Sequence, residues 1–94
     1  MNPGITLAIT TYNRPEMTVK AFEQVAYDDR INEILIMDDH SEWDNFIKLK
    51  ELVSKYTKVS LVRNAKNLGC YHNKRKAVQE SYNHWVILLD TDRS

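Results

Sequence analysis

The sequence predicts an α/β fold with three layers, in which a parallel four-stranded sheet lies between two layers of helices. Four apolar segments of strand length recur along the chain, and segments with helical spacing of apolar residues separate them. Such a regular alternation is typical of a parallel sheet whose strands are joined by helical crossovers. The strand segments are almost continuously apolar, which is expected when helices cover both faces of a sheet.

Each element has its own signal in the sequence. The first strand, ITLAIT, precedes a helix whose start carries Asn13 or Arg14 as the cap and Pro15 in the first turn. Ser41 and Asp44 give the second helix a cap-like start. The predicted strands are residues 5–10, 33–39, 58–64 and 84–90. The predicted helices lie within residues 13–27, 41–56 and 67–82.

Right-handed crossovers leave few topologies for these elements, and we expect the Rossmann-like strand order 3-2-1-4. In this order the first two helices cover one face of the sheet and the third helix covers the other. The chain reverses direction beside strand 1, so strands 1 and 4 become neighbours. Ligands of such sheets bind at the carboxyl ends of the strands that flank the reversal. The polar segments TTYNRP, MDDHS and DTDRS all fall at this edge, which we therefore interpret as a candidate site.

Composition restricts the class of protein. The 94 residues are interpreted as a single domain, residues 1–94. Basic and acidic side chains both number 13, so the net charge is zero, which argues against nucleic-acid binding. Cys70 is the only cysteine, so neither an internal disulfide nor a CxxC site can form. No apolar run has the length of a membrane span and no signal-peptide pattern is present, so we expect a soluble cytoplasmic protein.

Two aspartates follow the fourth predicted strand. Asp90 and Asp92 are two residues apart, so their side chains point the same way on an extended segment. Adjacent carboxylates repel each other unless a cation bridges them, and their hard oxygen atoms suit Mg²⁺ or Mn²⁺. Such a cation keeps positions open for the phosphate oxygens of a substrate. The alternative is that both residues only end the strand and form a turn, where aspartate is common.

The second predicted strand also ends in two aspartates, Asp38 and Asp39. Because neighbours in a strand point to opposite faces, the two cannot form one pair. We expect Asp38 to have a structural role and Asp39 to face the crevice, where it can accept hydrogen bonds from a ribose or a base. Tyr12 either stacks on a flat ring or packs against the first helix. Thr10 is an ordinary strand residue unless this edge is a site.

Other kinds of nucleotide site fit the sequence less well. Gly4 and Gly69 are the only glycines, so neither a GxGxxG segment nor a P-loop is present. A bound phosphate would therefore need a metal or a helix N-terminus. Lys74, Arg75 and Lys76 lie together on the third predicted helix, where they form either a solvated face or a partner for a diphosphate.

Four segments taken together resemble the inverting family 2 glycosyltransferases of the GT-A fold. ITLAITTYNRP, EILIMDDHS, NLG and WVILLDTD occur in the order and spacing of that family over essentially the whole chain. The resemblance implies a nucleotide-diphospho-sugar donor, expected to be a UDP-sugar, with Mn²⁺ or Mg²⁺ as the cofactor. It also implies single displacement by an acceptor hydroxyl, with the metal stabilising the departing nucleoside diphosphate.

The resemblance assigns roles to individual residues. It places Thr10 and Tyr12 in the nucleobase pocket, Asp39 on the base, Asp90 near the ribose and Asp92 on the metal. Lys74 lies in the segment after NLG, which often reads Ala-Arg-Asn in the family and reads Asn-Lys-Arg here.

No catalytic residue is assigned, because family members continue beyond the matching region into the part that supplies the acceptor site and the general base. We therefore expect the chain to be the donor-binding half of a truncated GT-A fold, inactive or nearly so alone. The alternative is a non-catalytic α/β module that binds nucleotides or a partner chain.

The fourth strand is expected at one edge of the sheet. Its sequence, HWVILLD, is apolar and free of proline, and such an open edge is a template for pairing with another chain. We therefore expect a homodimer or a larger assembly through the strand 4 edge. A monomer with a short, twisted edge is the alternative.

Overall fold

The computed structural model describes residues 4–80 and 85–91, apart from the side chains of Cys70 and Tyr71. Strands and helices alternate along this part of the chain. The strands are β1 (Ile5–Thr11), β2 (Ile31–Asp38), β3 (Val59–Arg63) and β4 (Trp85–Asp90). The helices are α1 (Pro15–Phe22), which continues into a 3₁₀ turn (Glu23–Val25), α2 (Trp43–Val53) and α3 (Cys70–Glu80). None of these helices combines the length and the apolar character that crossing a membrane requires.

The strands form one parallel sheet in the order β3-β2-β1-β4, which confirms the predicted topology. β1 therefore has a neighbour on each side, and Thr10 lies opposite Met37 of β2 and opposite Asp90 of β4. Because β2 follows β1 on one side and β4 lies on the other, the reversal of the chain falls between β1 and β4. The carboxyl ends of these two strands are the place where a ligand is expected.

Alternate side chains of the sheet supply two apolar clusters, one on each face. Leu7 and Ile9 pack with α1 and α2 in the larger cluster, where the rings of Phe22 and Tyr56 meet edge to face at 5.0 Å between centroids. Ala8 points to the other face and belongs to a smaller cluster with Ala77 of α3 (together with Leu35 and Met37). Two helices thus cover one face and the third covers the other, as predicted.

The sequence prediction of the helix caps is correct in the choice of Arg14 for α1 and wrong for α2. Arg14 is the N-cap of α1 and makes no side-chain capping hydrogen bond. Asn13 has a φ of 54°, a left-handed backbone that asparagine tolerates better than most residues. Its Oδ1 atom accepts hydrogen bonds from the Glu42 backbone N–H at 2.8 Å and from Asn45 Nδ2 at 3.1 Å. Asn13 therefore holds the first turn of α2, whose N-cap is Glu42 and not Ser41.

Candidate functional site

Hydrogen bonds join the carboxyl ends of β1 and β4. The backbone N–H and the hydroxyl of Thr91 both donate to the carbonyl oxygen of Thr10, at 3.1 and 2.9 Å. The Thr10 hydroxyl in turn donates to Asp90 Oδ1 at 3.2 Å. Thr10 and Thr91 are both buried. These contacts fix the direction of the Asp90 carboxylate at the end of the strand, where the sequence predicts a site.

Lys74 of α3 completes this group of side chains. Its Nζ atom lies 2.8 Å from Asp90 Oδ2, and the side chains of Lys74 and Asp90 are 35% and 22% exposed. The structure therefore brings together three of the predicted site residues, Thr10, Lys74 and Asp90. We refer to them with Thr91 as the β1–β4 site.

Asp38 has the structural role that its position in the strand predicts. Its carboxylate is buried and accepts hydrogen bonds from the backbone N–H of Ser41, at 2.9 Å, and from the Ser41 hydroxyl. The Ser41 hydroxyl oxygen also accepts the Asn13 backbone N–H at 2.8 Å. Arg63 supports the same turn by donating to the Ser41 carbonyl at 2.7 Å. Asp38 thus closes the turn between β2 and α2.

Asp39 is also buried, and its carboxylate binds the loop between β3 and α3. Oδ1 accepts hydrogen bonds from Asn64 Nδ2 at 2.9 Å and from the Leu68 backbone N–H at 2.7 Å. Oδ2 accepts the Gly69 backbone N–H at 2.9 Å. Asp39 therefore positions the residues that lead into α3. Its contact with a nucleobase stays a prediction.

A buried amide network next to Asp39 was missed by the sequence analysis. Asn64 Nδ2 also donates to Asn73 Oδ1 at 2.7 Å, and Lys76 Nζ donates to Asn64 Oδ1 at 2.9 Å. Asn73 Nδ2 donates to the Met37 carbonyl of β2 at 3.0 Å. One signal could have revealed it: Asn73 is four residues before Ala77 and shares its sheet-facing side of α3, so a polar side chain there needs a buried partner.

Two further features lie beside the β1–β4 site. Tyr12 directly follows β1 and is 39% exposed, which leaves part of its ring surface accessible to a flat ligand. On the α1 side of β4, an open groove with a volume of about 300 Å³ reaches the end of the strand. The groove is lined by Met17, Lys20, Ala21, Asp90 and Thr91. The groove opens on the α1 side of the sheet, whereas Lys74 contacts Asp90 from the α3 side.

The predicted metal ligands are divided between described and undescribed parts of the chain. Asp92 lies outside the described residues. Within residues 4–80 and 85–91, no group of three or more histidine, cysteine, aspartate or glutamate side chains is placed to hold a metal ion. The β1–β4 site offers one carboxylate, Asp90, whose oxygens contact Thr10 and Lys74.

A parallel sheet of order 3-2-1-4 defines the doubly wound class of α/β proteins, and the polar side chains at the β1–β4 reversal lie where such proteins bind their ligands. The model of glycosyl transferase family 2 matches residues 6–94, and the chain belongs to that family. Comparison with curated protein sequences gave no match.

Solved structures of family 2 enzymes share the fold. The mannosyltransferase PcManGT from Pyrobaculum calidifontis, determined with GDP-Man and Mn²⁺, superposes with a TM-score of 0.79 at 18% identity over 98% of this chain. TarS from S. aureus superposes with a TM-score of 0.76 at 18% identity over 95% of this chain. The chain corresponds to 28% of the length of PcManGT and 16% of the length of TarS. The fold is therefore GT-A-like, and the chain spans a minor part of these longer proteins.

Proposed function

We propose that this chain is a donor-binding part of a glycosyltransferase, which binds a nucleotide-diphospho-sugar together with Mn²⁺ or Mg²⁺. The observation that carries the proposal is the contact of Thr10, Lys74 and Asp90 at the reversal point of the sheet. Membership of glycosyl transferase family 2 supports the same class of substrate. The relative PcManGT, which was solved with GDP-Man and Mn²⁺, supports a nucleotide-sugar and a divalent cation as its ligands.

The proposed roles follow from position. The partly exposed ring of Tyr12 stacks on the nucleobase, and Thr10 borders the same pocket. Asp39 contributes to base binding, either with its carboxylate or by holding the loop at Leu68 and Gly69. Lys74 supplies positive charge for the diphosphate. The proposed donor is a UDP-sugar, and a GDP-sugar is the competing candidate because of the PcManGT ligand.

The residues at the β1–β4 site fit a hard divalent cation in part. Thr10 and Lys74 fix the direction of the Asp90 carboxylate, and Asp92 is two residues further on. When bound, the cation would offset the negative charge of the diphosphate leaving group. We propose Asp90 and Asp92 as its ligands.

We assign no catalytic residue and propose that the chain transfers no sugar by itself. A general base has to lie within hydrogen-bond reach of the acceptor hydroxyl, and no residue of the chain is assigned to that position. A cytoplasmic location, expected from the sequence, also stays a prediction.

Calorimetric titration with UDP and with GDP, each in Mn²⁺ and in EDTA, tests the proposal. We expect one nucleotide to bind in Mn²⁺ and to lose at least about tenfold in affinity in EDTA, because the carboxylates repel the diphosphate when no cation is bound. Asp90→Asn should weaken binding in Mn²⁺ by a similar factor. Asp29→Asn is the matched control, since Asp29 is an exposed carboxylate that precedes β2.

Two results would count against the proposal. Equal nucleotide affinity in Mn²⁺ and in EDTA would show that binding does not use a metal. If neither nucleotide binds in Mn²⁺, the chain has no donor site, and the non-catalytic partner-binding module is favoured instead.

We also propose self-association through β4. In the sheet that the described residues form, β4 pairs with β1 on one side and is an edge strand. Trp85, Ile87 and Leu88 are 66%, 46% and 40% exposed, although they are apolar. Two copies of β4 related by a two-fold axis would pair antiparallel and cover these side chains, and a two-fold contact is self-complementary. The proposed assembly is a homodimer or a larger oligomer.

A further inference from the structure

The contact between Lys74 and Asp90 bears on how a divalent cation and a nucleotide affect each other's binding. We propose that Lys74 is an exchangeable counter-ion: its ammonium group neutralises Asp90 when no ligand is bound, and moves to the diphosphate when a divalent cation takes its place. The inference rests on the proposed function, and adds to it a coupling between the metal and the nucleotide.

The geometry supports the first half of the exchange. Both oxygens of Asp90 are engaged, Oδ1 by the Thr10 hydroxyl at 3.2 Å and Oδ2 by Lys74 Nζ at 2.8 Å. A cation that binds Asp90 must either displace the ammonium group or remain close to it. Like charges at such separations repel strongly in a site that is partly shielded from water. Lys74 therefore opposes binding of the cation alone.

The second half follows from the freedom of the lysine side chain. The Lys74 side chain is 35% exposed and stands on a surface helix, so its flexible stem can move without disturbing the core. Thr10, by contrast, is buried and tied to Thr91 through its carbonyl oxygen. Of these two contacts of Asp90, the one with Lys74 is thus the contact that can be exchanged. The negative charge of a diphosphate beside the cation offers the ammonium group a new partner.

This exchange makes the two ligands cooperative. When Mn²⁺ binds alone, Lys74 loses its ion pair with Asp90 and gains no new one. When Mn²⁺ binds with a diphosphate, Lys74 exchanges that ion pair for one with the diphosphate. By linkage, the nucleotide raises the affinity for the metal by the same factor as the metal raises the affinity for the nucleotide. Lys74 is therefore the source of part of that coupling.

The test measures binding and not activity, with the 94-residue chain, MnCl₂, UDP and GDP. Free Mn²⁺ is followed by electron paramagnetic resonance, and nucleotide binding by calorimetry. In Lys74→Met, which keeps an unbranched side chain and removes the ammonium group, we expect Mn²⁺ alone to bind roughly three- to tenfold tighter. Nucleoside diphosphate in saturating Mn²⁺ should bind more weakly by a similar factor. Lys74→Arg should preserve the wild-type pattern.

Arg75→Met is the matched control, because it removes one positive charge from the adjacent, exposed position of the same helix. It should change the two affinities by less than about twofold and in the same direction. UMP and GMP add a second control: they lack the second phosphate, so the loss caused by Lys74→Met should be smaller for them. Unfolding temperatures of all variants are compared to exclude misfolding.

The opposite change of the two affinities is the decisive result. If Lys74→Met leaves the Mn²⁺ affinity unchanged or lowers it while the wild-type protein binds Mn²⁺ and a nucleoside diphosphate, the exchange is wrong and the donor-binding proposal stands. If the wild-type protein binds neither nucleotide in Mn²⁺, the donor-binding proposal fails and the exchange fails with it.

Discussion

Asn64 is the side chain that joins three parts of the protein beside the site. Its amide nitrogen donates to Asp39, which follows β2, and to Asn73 of α3. Its amide oxygen accepts a hydrogen bond from Lys76. The residue is 1% exposed, so these hydrogen bonds are shielded from water in the folded protein. A buried polar group without its partner is costly, which makes this network more important than the number of its bonds indicates.

Asn64→Ala should therefore lower the free energy of unfolding by roughly 2–3 kcal/mol, because it leaves the buried groups of Asp39 and Asn73 short of a partner. Urea denaturation followed by circular dichroism measures the change. Asn67→Ala is the control: Asn67 is exposed and donates to the Asp39 carbonyl at 3.2 Å, so we expect a cost below about 1 kcal/mol. Equal losses in the two variants would contradict the importance of the buried network.

For individual residues, the sequence predicts which of them lie at the site better than it predicts what they contact. The alternation of side chains along β2 separates Asp38 from Asp39, and Asp38 does hold a turn. The partners of Asp39 could not be found in the same way, since Leu68 and Gly69 are about 30 residues away in the chain and donate from their backbone. Hydrogen bonds from backbone groups leave no trace in residue type.

A charged turn precedes β2. Asp28 accepts hydrogen bonds from the backbone N–H of Arg30 at 2.9 Å and from its guanidinium at 2.7 and 3.0 Å. The carbonyl of Asp28 accepts the Ile31 backbone N–H at 3.0 Å and Lys58 Nζ at 2.8 Å. The turn thus links the first residue of β2 to the chain that enters β3.

The hydrogen bonds from Arg30 hold the pKa of the Asp28 carboxyl well below its usual range. The folded state therefore binds fewer protons here than the unfolded chain, and stability rises with pH through this range. The contribution is complete above the unfolded pKa of about 3.9 and is lost as the pH falls below it.

Asp28→Asn should therefore be less stable than the wild-type protein at pH 7, and the difference should become smaller at pH 2.5. Urea denaturation at the two pH values measures it. Asp29→Asn, at the exposed neighbouring carboxylate, is the control and should give a small difference. A difference for Asp28→Asn that does not change with pH would show that the turn is held by packing and not by this charge.

The elements themselves are the most predictable part of the structure. Apolar runs of strand length and helical spacing identify the four strands and three helices of the described residues, because burial in a three-layer fold imposes those patterns on the sequence. The helix starts were less predictable. Asn13 reads as a cap for α1 and instead binds the start of α2, since its left-handed backbone turns the side chain toward a helix that follows much later.

At the scale of the whole sheet, β4 is an edge strand among the residues that the structure describes. Ile87 lies opposite Leu7 of β1, which packs in the larger apolar cluster, so Ile87 is on the face that α1 and α2 cover. It is nevertheless 46% exposed. Trp85 lies two residues earlier on the same face and is 66% exposed. This unfilled end of the larger cluster is the part of the surface on which association should depend.

Light scattering at micromolar concentration should give a mass of at least twice the 11.1 kDa of the chain. Ile87→Lys should return it to the mass of a monomer, because a charge would have to be buried between the two copies of β4. Tyr27→Lys is the control, since Tyr27 is an apolar side chain that is 74% exposed and contacts the ring of Tyr56. A monomeric mass for the wild-type protein would contradict self-association.

The strand order also has a consequence for the time course of synthesis. β1 is synthesised before the other three strands, yet it occupies an interior position in the sheet. Its residue Thr10 pairs with Asp90 of β4, which lies 80 residues later in the chain. At a translation rate of roughly 5–20 residues per second, one edge of β1 waits for several seconds after its other edge has paired with β2. During that interval the edge of β1 that later pairs with β4 has no partner strand, so the β1–β4 site is expected to form last.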